Sequence, residues 1–455
     1  MSINHKAAEK SGLTRRSVLK GAAAGGASLA LASGFGIRMA SAQENTLKIM
    51  STPDFKFADA LAAATEPEND GTYLRAAWGI LQNWKEKHPE VTLQFDEVPW
   101  DQVTQNVILA AQSGTEADVV MVNDLNIPKL AGGGLLLAYD QFDGGNWDDY
   151  NQHLLRGIAS FDGSIYALPW MTDCRHEYYW KSSYADAGLD APASTWDEFR
   201  AQLLALKESG MESPYSFFAS NSVHTPTQSI MSQLWMLGGD VLDAEGRAAL
   251  NSPEMVEVFN YYNDLMNVAE VASPDLIALP NSGAFNDLFS SKKNAVQKNG
   301  GWVMATLKSA GAGDDLGYFR TPRPTADSPD ATLSGFWSFN LPARTGVDDA
   351  HQELAAEFAL HVSSAESQAI VVEFMDGQLP TRPSANQSAA AQNKADDWRF
   401  QAAYAAEAGR GMPPASDAGL LFDQMTTAFQ RFLTGQQTAE EALTAAESTY
   451  NSQAV

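Results

Sequence analysis

The sequence predicts an α/β protein, and three observations carry that reading. Residues 91–98 alternate apolar and polar side chains, with Val91, Leu93 and Phe95 on one face, as a half-buried strand does. Asp118-Val-Val-Met-Val122 is a continuous apolar run, the pattern of a parallel strand covered on both faces. Between them, residues 101–113 place Val103, Val107 and Ala110–Ala111 on one helical face. Strand, helix, strand in that order implies a parallel sheet.

Taken in chain order, the first 42 residues read as an export signal. Thr14-Arg15-Arg16-Ser17-Val18-Leu19-Lys20 is a twin-arginine sequence, followed by an apolar run from Gly21 to Ile37 rich in Ala and Gly. Ala40-Ser41-Ala42 is a small-x-small cleavage site, so Gln43 would begin the mature chain. The run is soft and short for a membrane span. The expected location is therefore outside the cytoplasm, by the twin-arginine route of bacteria. Leu47-Lys48-Ile49-Met50 is a short first strand. Helices further on are marked by their caps: Thr195-Trp-Asp-Glu198, Ser363-Ser-Ala-Glu366 and Thr438-Ala-Glu-Glu441 read as capping boxes. Ser252-Pro253 reads as a cap followed by proline at the first helical position. Trp196, Phe199, Leu203 and Leu206 form one apolar stripe, and Leu354, Phe358 and Val362 another. No repeat or low-complexity linker divides the chain.

The 455 residues carry 30 Lys and Arg against 56 Asp and Glu. Without the first 42 positions the balance is 24 to 55, or −31. That charge argues against nucleic acid and anionic membrane surfaces as partners. No other segment approaches a membrane span. The one cysteine, Cys174, excludes an intrachain disulfide and lies far from the cleavage site, so no lipid anchor is expected there. It reads as a buried thiol.

Catalytic patterns are missing. There is no G-x-x-x-x-G-K-[ST], G-x-S-x-G or G-x-G-x-x-G. His176-Glu177-Tyr178-Tyr179-Trp180 is a near miss to a zinc motif, with Trp180 where the second histidine would stand. Tyr178-Tyr179 could hold ferric iron as tyrosinates, but neighbours in a strand point to opposite faces. No metal or cofactor is expected.

Several stretches, in matching order across residues 45–385, resemble the bacterial extracellular solute-binding proteins, the sugar-binding group of ABC importers. Gly163-Ser-Ile-Tyr-Ala-Leu-Pro-Trp170 is similar to the family's G-x-x-Y-G-L-P-W strand. Tyr179 to Asp190, with Pro192 and Thr195-Trp-Asp-Glu-Phe199, is similar to its Y-N-K-x-L-F-x-x-A-G-L-D-x-P-P-x-T-W-D-E-L stretch, although Trp180-Lys-Ser replaces the usual Asn-Lys-Asp. Asn299-Gly-Gly-Trp-Val-Met304, Ser334-Gly-Phe-Trp337 and Gly377-Gln-Leu-Pro-Thr-Arg382 resemble later elements, and Ser113-Gly114 with Ala117-Asp118-Val-Val an earlier one.

The resemblance implies a two-lobed periplasmic-binding-protein fold, with a ligand cleft between the lobes and crossing hinge strands. It assigns residues 43–165 and 335–366 to the first lobe, and 166–330 and 368–455 to the second. The implied activity is capture of a sugar or short oligosaccharide by cleft closure, without catalysis, by a monomer that delivers its guest to an inner-membrane ABC permease. Binders of a polyol, glycerol phosphodiester or polyamine remain open, as does a secreted carbohydrate-active enzyme.

A sugar needs aromatic planes for its C–H faces and polar groups for its hydroxyls. Micromolar binding requires about 8 kcal/mol; a stacked ring adds about 0.5–1.5 kcal/mol beyond burial, and a hydrogen bond to a charged group about 1.5–3 kcal/mol. By position in the resemblance, Trp170 and Trp302 are the stacking candidates. Gly301 before Trp302 would let backbone approach the guest, and Gly335, Phe336 and Trp337 form a similar group. Trp235 is a further ring, whereas Trp84, Trp147 and Trp196 read as core. Asp173 and Arg175 follow Trp170 as polar anchors, Asp124 stands at the carboxyl end of a buried strand, and Arg382 closes the set. Arg175 with His176 would suit an acidic sugar such as a uronate.

Overall fold

The computed structural model describes residues 45–69, 72–309 and 311–454. The expected leader, residues 1–42, lies outside the described residues. Two sheets organise the rest. In the first, Thr46–Ser51 runs parallel to both Thr92–Glu97 and Val119–Asn123, and the helix between the last two is Val103–Ser113. The parallel βαβ reading of this region is therefore observed. Phe336–Pro342 enters the same sheet antiparallel, between Val119–Asn123 and Leu168–Thr172. Leu379–Pro380 adds the outer strand and Leu136–Leu137 a short pairing at the far end.

The second sheet is ordered Leu316–Phe319, Arg175–Trp180, Val296–Gly300, Tyr215–Ser216. Arg175–Trp180 is antiparallel to both of its neighbours. Only Asp173 and Cys174 separate Leu168–Thr172 in the first sheet from Arg175–Trp180 in the second. A second crossing runs through Ser334 and Gly335, between Thr332–Leu333 and Phe336–Pro342.

This topology corrects the lobe boundaries read from the sequence. Leu168–Thr172, expected in the second lobe, is an interior strand of the first sheet, so the crossing falls at 173–174 and not at 165–166. Residues 368–398 also return to the first lobe: Val371, Val372, Met375, Leu379 and Trp398 pack in one core with Leu47, Ile49 and Phe339. The reason is non-local. Leu168–Thr172 is buried along its whole length, and its backbone groups are satisfied by strands some 160 and 210 positions later, a pairing that no local pattern encodes.

Helix signals held with one displacement. Both reciprocal bonds of the capping box form at Thr195 with Glu198 and at Thr438 with Glu441, and the Ser252 side chain accepts from the Met255 N–H. The third box does not form: Ser363 ends helix Asp349–Val362, and Ser364 caps the next helix by accepting from the Ser367 N–H. Glu366 turns outward to Lys87. Tyr178 and Tyr179 do face apart. Tyr178 packs beside Phe289, while Tyr179 meets Tyr184 and Phe319. Among the described residues no three His, Cys, Asp or Glu side chains converge as a metal site, and no helix is long and apolar enough to cross a membrane.

Candidate functional site

The crossings at 173–174 and 334–335 open onto a cavity of about 470 Å³, within the usual size of small-molecule sites. The three parallel strands of the first sheet point their carboxyl ends at it. Asp54 and Phe55 follow the first, Trp100 the second, and Asp124 the third, as expected where α/β folds bind ligands. The second lobe supplies Arg175, Gln228, Asn286 and Trp302. Six rings line the cavity: Phe55, Tyr73, Trp100, Trp302, Phe336 and Trp337.

Charge is concentrated at the crossings. Arg175 is ion-paired with Asp173, and its Nε donates to Gln228 Oε1 at 3.0 Å. The guanidinium lies over the Trp302 ring, 4.9 Å from its centroid, a cation–π geometry. Thr172 Oγ1 donates to the Gly335 carbonyl at 2.7 Å and ties the crossings together. Burial pushes Asp124 up to about 7; nearby Asp173 adds to the rise and Arg175 opposes it. Its Oδ2 is buried and accepts no hydrogen bond from a described residue. Burial raises Asp173 as well, with Arg175 opposing. It lowers His224 to about 4, so that imidazole is neutral at pH 7.

The cavity brings together seven of the residues named from the sequence: Asp124, Asp173, Arg175, Trp302, Gly335, Phe336 and Trp337. A Cβ on Gly335 would sit 3.4 Å from Asp124 Oδ2 and 3.7 Å from Arg175 Nη2, so the missing side chain leaves these two groups open to each other and to the cavity.

Four candidates lie elsewhere. Trp170 is fully buried in the first core against Phe55, Phe57, Tyr73 and Phe339. Strand alternation turns Met171, and not Trp170, toward the cavity. Trp235 is buried in the second core with Arg410 over its ring. Arg382 is held in the first lobe: it stacks on Tyr150 and donates from Nε to the Ser363 carbonyl at 2.7 Å. Gly301 meets protein and not open space, since a Cβ there would collide with the Gly377 carbonyl and the Gln401 amide. His176 likewise points away from Arg175. It is buried beside Tyr178 and Phe400, and burial lowers it to about 3, so it gives an acidic sugar no positive charge.

Sequence reasoning missed Phe55, Tyr73, Trp100, His224, Gln228 and Asn286. Phe55 and Trp100 did carry a signal, because each follows the carboxyl end of a strand already recognised. The others come from helices and loops whose approach is set by tertiary packing. A larger cavity, about 650 Å³, lies between helices Leu74–Lys87 and Asp349–Val362. No strand end of the first sheet reaches it, and none of the crossing residues lines it, so the site is placed at the crossings.

A family model of the bacterial extracellular solute-binding proteins matches residues 52–369, and the chain belongs to that family. The diacetylchitobiose binding protein DasA of Streptomyces coelicolor is 26% identical over 278 residues, 60% of this chain and 62% of that protein. The arabinooligosaccharide-binding protein of Halalkalibacterium halodurans is 27% identical over 199 residues, 42% of each chain. The chain thus spans less than two thirds of the length of these curated relatives. Among solved structures, an ABC transporter solute-binding protein of Thermotoga lettingae bound to α-D-tagatose superimposes with a TM-score of 0.73 at 22% identity, covering 90% of this chain and 99% of that one. UgpB of Mycobacterium tuberculosis, in complex with glycerophosphocholine, gives 0.74 at 18% identity, covering 90% and 98%. These likenesses establish the two-lobed α/β fold of the family.

Proposed function

We propose that the chain is the solute-binding subunit of an ABC importer, taking a sugar or short oligosaccharide into the cleft and passing it unchanged to a membrane permease. One observation carries this reading: six aromatic rings and a set of amide and carboxylate groups converge on one cavity at the crossings 173–174 and 334–335 between the lobes. Rings cover the apolar faces of a sugar, while Asn123, Gln228, Asn286 and Gln378 offer donors and acceptors for its hydroxyls. The crossings at 173–174 and 334–335 are short segments about which lobes can rotate. The relatives named for diacetylchitobiose and arabinooligosaccharides support the same class of guest.

The protein works as a monomer in the periplasm, exported by the twin-arginine signal of residues 1–42, without a lipid anchor and without catalysis. A glycerol phosphodiester is disfavoured because Arg175, the one cationic side chain at the cavity among the described residues, is already paired with Asp173. Titration calorimetry against neutral sugars, uronates, polyols and polyamines tests the reading, with small-angle scattering on any pair that binds. Tight saccharide binding with a smaller radius of gyration is the expected result. Turnover of a labelled oligosaccharide that disappears when one carboxylate is changed would overturn it.

A further inference from the structure

We propose, resting on the saccharide reading above, that the guest is cationic: the cleft is built for an amino sugar or a similar polyhydroxylated amine and rejects acidic sugars. The charge inventory of the cavity is lopsided. Asp54, Asp124 and Asp173 line it against the single guanidinium of Arg175. Arg175 is committed, ion-paired with Asp173 and donating to Gln228. His224, the other basic side chain at the cavity, is partly buried and held neutral. Asp54 and Asp124 are left over, and neither forms an ion pair with a described residue.

Asp124 makes the stronger claim. It is 5% exposed, and the backbone at Phe336 and Leu125 opposes the upward push of burial on its pKa. Its Oδ2 accepts no bond from a described residue, an arrangement that costs free energy unless something occupies it. Arg175 and Asp173 act on it directly, and Asp54, His224 and Tyr73 are the other charged and titratable groups that share the cavity with it. An ammonium group on the guest would supply both the missing donor and the missing charge. The aromatic walls favour the same chemistry: Trp302 already carries a cation over its face, while no cation of a described residue lies over Trp100 or Trp337. A carboxylate guest would meet two uncompensated acids and no free base. The overall charge of −26 draws cations toward the molecule in the same sense.

Because Asp124 titrates at about 7 when the cleft is empty, an ammonium binding beside it near neutral pH stabilises the carboxylate and releases a proton. The test is calorimetry with three guests of similar shape: a β-1,4-linked glucosamine dimer, cellobiose and a galacturonate dimer, with spermidine as a cation that is not a sugar. At a pH of about 6.5 the glucosamine dimer is expected to bind about tenfold more tightly than cellobiose, and the galacturonate dimer more weakly than either. Titration in two buffers of different ionisation enthalpy should show proton release for the amine alone. Asp124→Asn should abolish both the preference and the proton release. Should that variant fold poorly, Asp54→Asn, at an exposed turn, is expected to reduce the preference by itself.

Cellobiose binding as tightly as the amine dimer, or a preference unchanged in both variants, would overturn the charge inference and leave the saccharide reading standing. Spermidine binding with no saccharide bound would uphold the charge inference and overturn the saccharide reading. Binding of none of the four would overturn both.

Discussion

The Arg175 guanidinium lies over the Trp302 indole, 4.9 Å from the ring centroid, and through it the first crossing is coupled to the loop after Val296–Gly300. The indole is half-buried and lines the cavity. Trp302→Ala should weaken binding about tenfold, the loss of a stacked ring with its burial. The melting temperature of the empty protein should change little. Titration calorimetry and a thermal melt on the same variant check both, and an equal loss of stability would make Trp302 a packing residue.

Trp170 is expected to behave in the opposite way. It fills the first core among four aromatic rings, so Trp170→Ala should cost about 3–5 kcal/mol of unfolding free energy. Urea denaturation reads this directly. Under conditions where the variant remains folded, its affinity for the guest should stay close to that of the parent.

Stability should fall as pH rises toward neutrality, in part through Asp124. Its folded-state value is raised from 3.8 to about 7. A raised carboxylate contributes stability fully present below its unfolded value and lost as pH climbs through the folded one. The urea midpoint should therefore decline between about pH 4 and 7. In Asp124→Asn the decline should be shallower, and other acids raised by burial, such as Glu177, contribute to the slope that remains.

Glu177 and Lys298 stand directly opposite each other on paired strands, and both are fully buried. Burial raises the acid and lowers the base, while each opposes the other's shift. Removing one charge, as in Lys298→Met, should cost about 3–5 kcal/mol, because the partner is left uncompensated. Replacing both with apolar residues of similar volume should cost far less. A double-mutant cycle in denaturant measures the difference.

Gly301 and Gly377 bring the loop after Val296–Gly300 and the loop before Leu379–Pro380 into backbone contact, with Gly377 at φ 77°. A Cβ on Gly301 has no room. Gly301→Ala should shift the empty protein toward a more extended form, seen as a larger radius of gyration in solution scattering.

Local physics was legible in the chain. The βαβ unit, the capped helices at Thr195, Ser252 and Thr438, and the opposed tyrosines all follow from spacing over a few residues, where sterics and hydrogen bonding act within one element. Asp124 was legible too, because a buried parallel strand delivers its next residue to the ligand end of the sheet. The shift of a cap from Ser363 to Ser364 marks the limit of such reading, since either serine could end one helix or start the next.

Trp170, Trp235, Arg382 and Gly301 show what spacing does not carry. Trp170, Gly301 and Arg382 sit in stretches that resemble the family and Trp235 on a helix outside them, but whether a side chain faces cavity or core depends on packing against partners far away in the chain. The same long-range pairing moved the lobe boundary to Asp173 and Cys174. The chain alone determined the class of fold, the alternation along its strands and the residues that end them. Only the folded molecule decided which side chains share a cavity and which acids there lack a base. Those outcomes depend on the joint burial of distant segments, and no single segment contains the free energy that selects them.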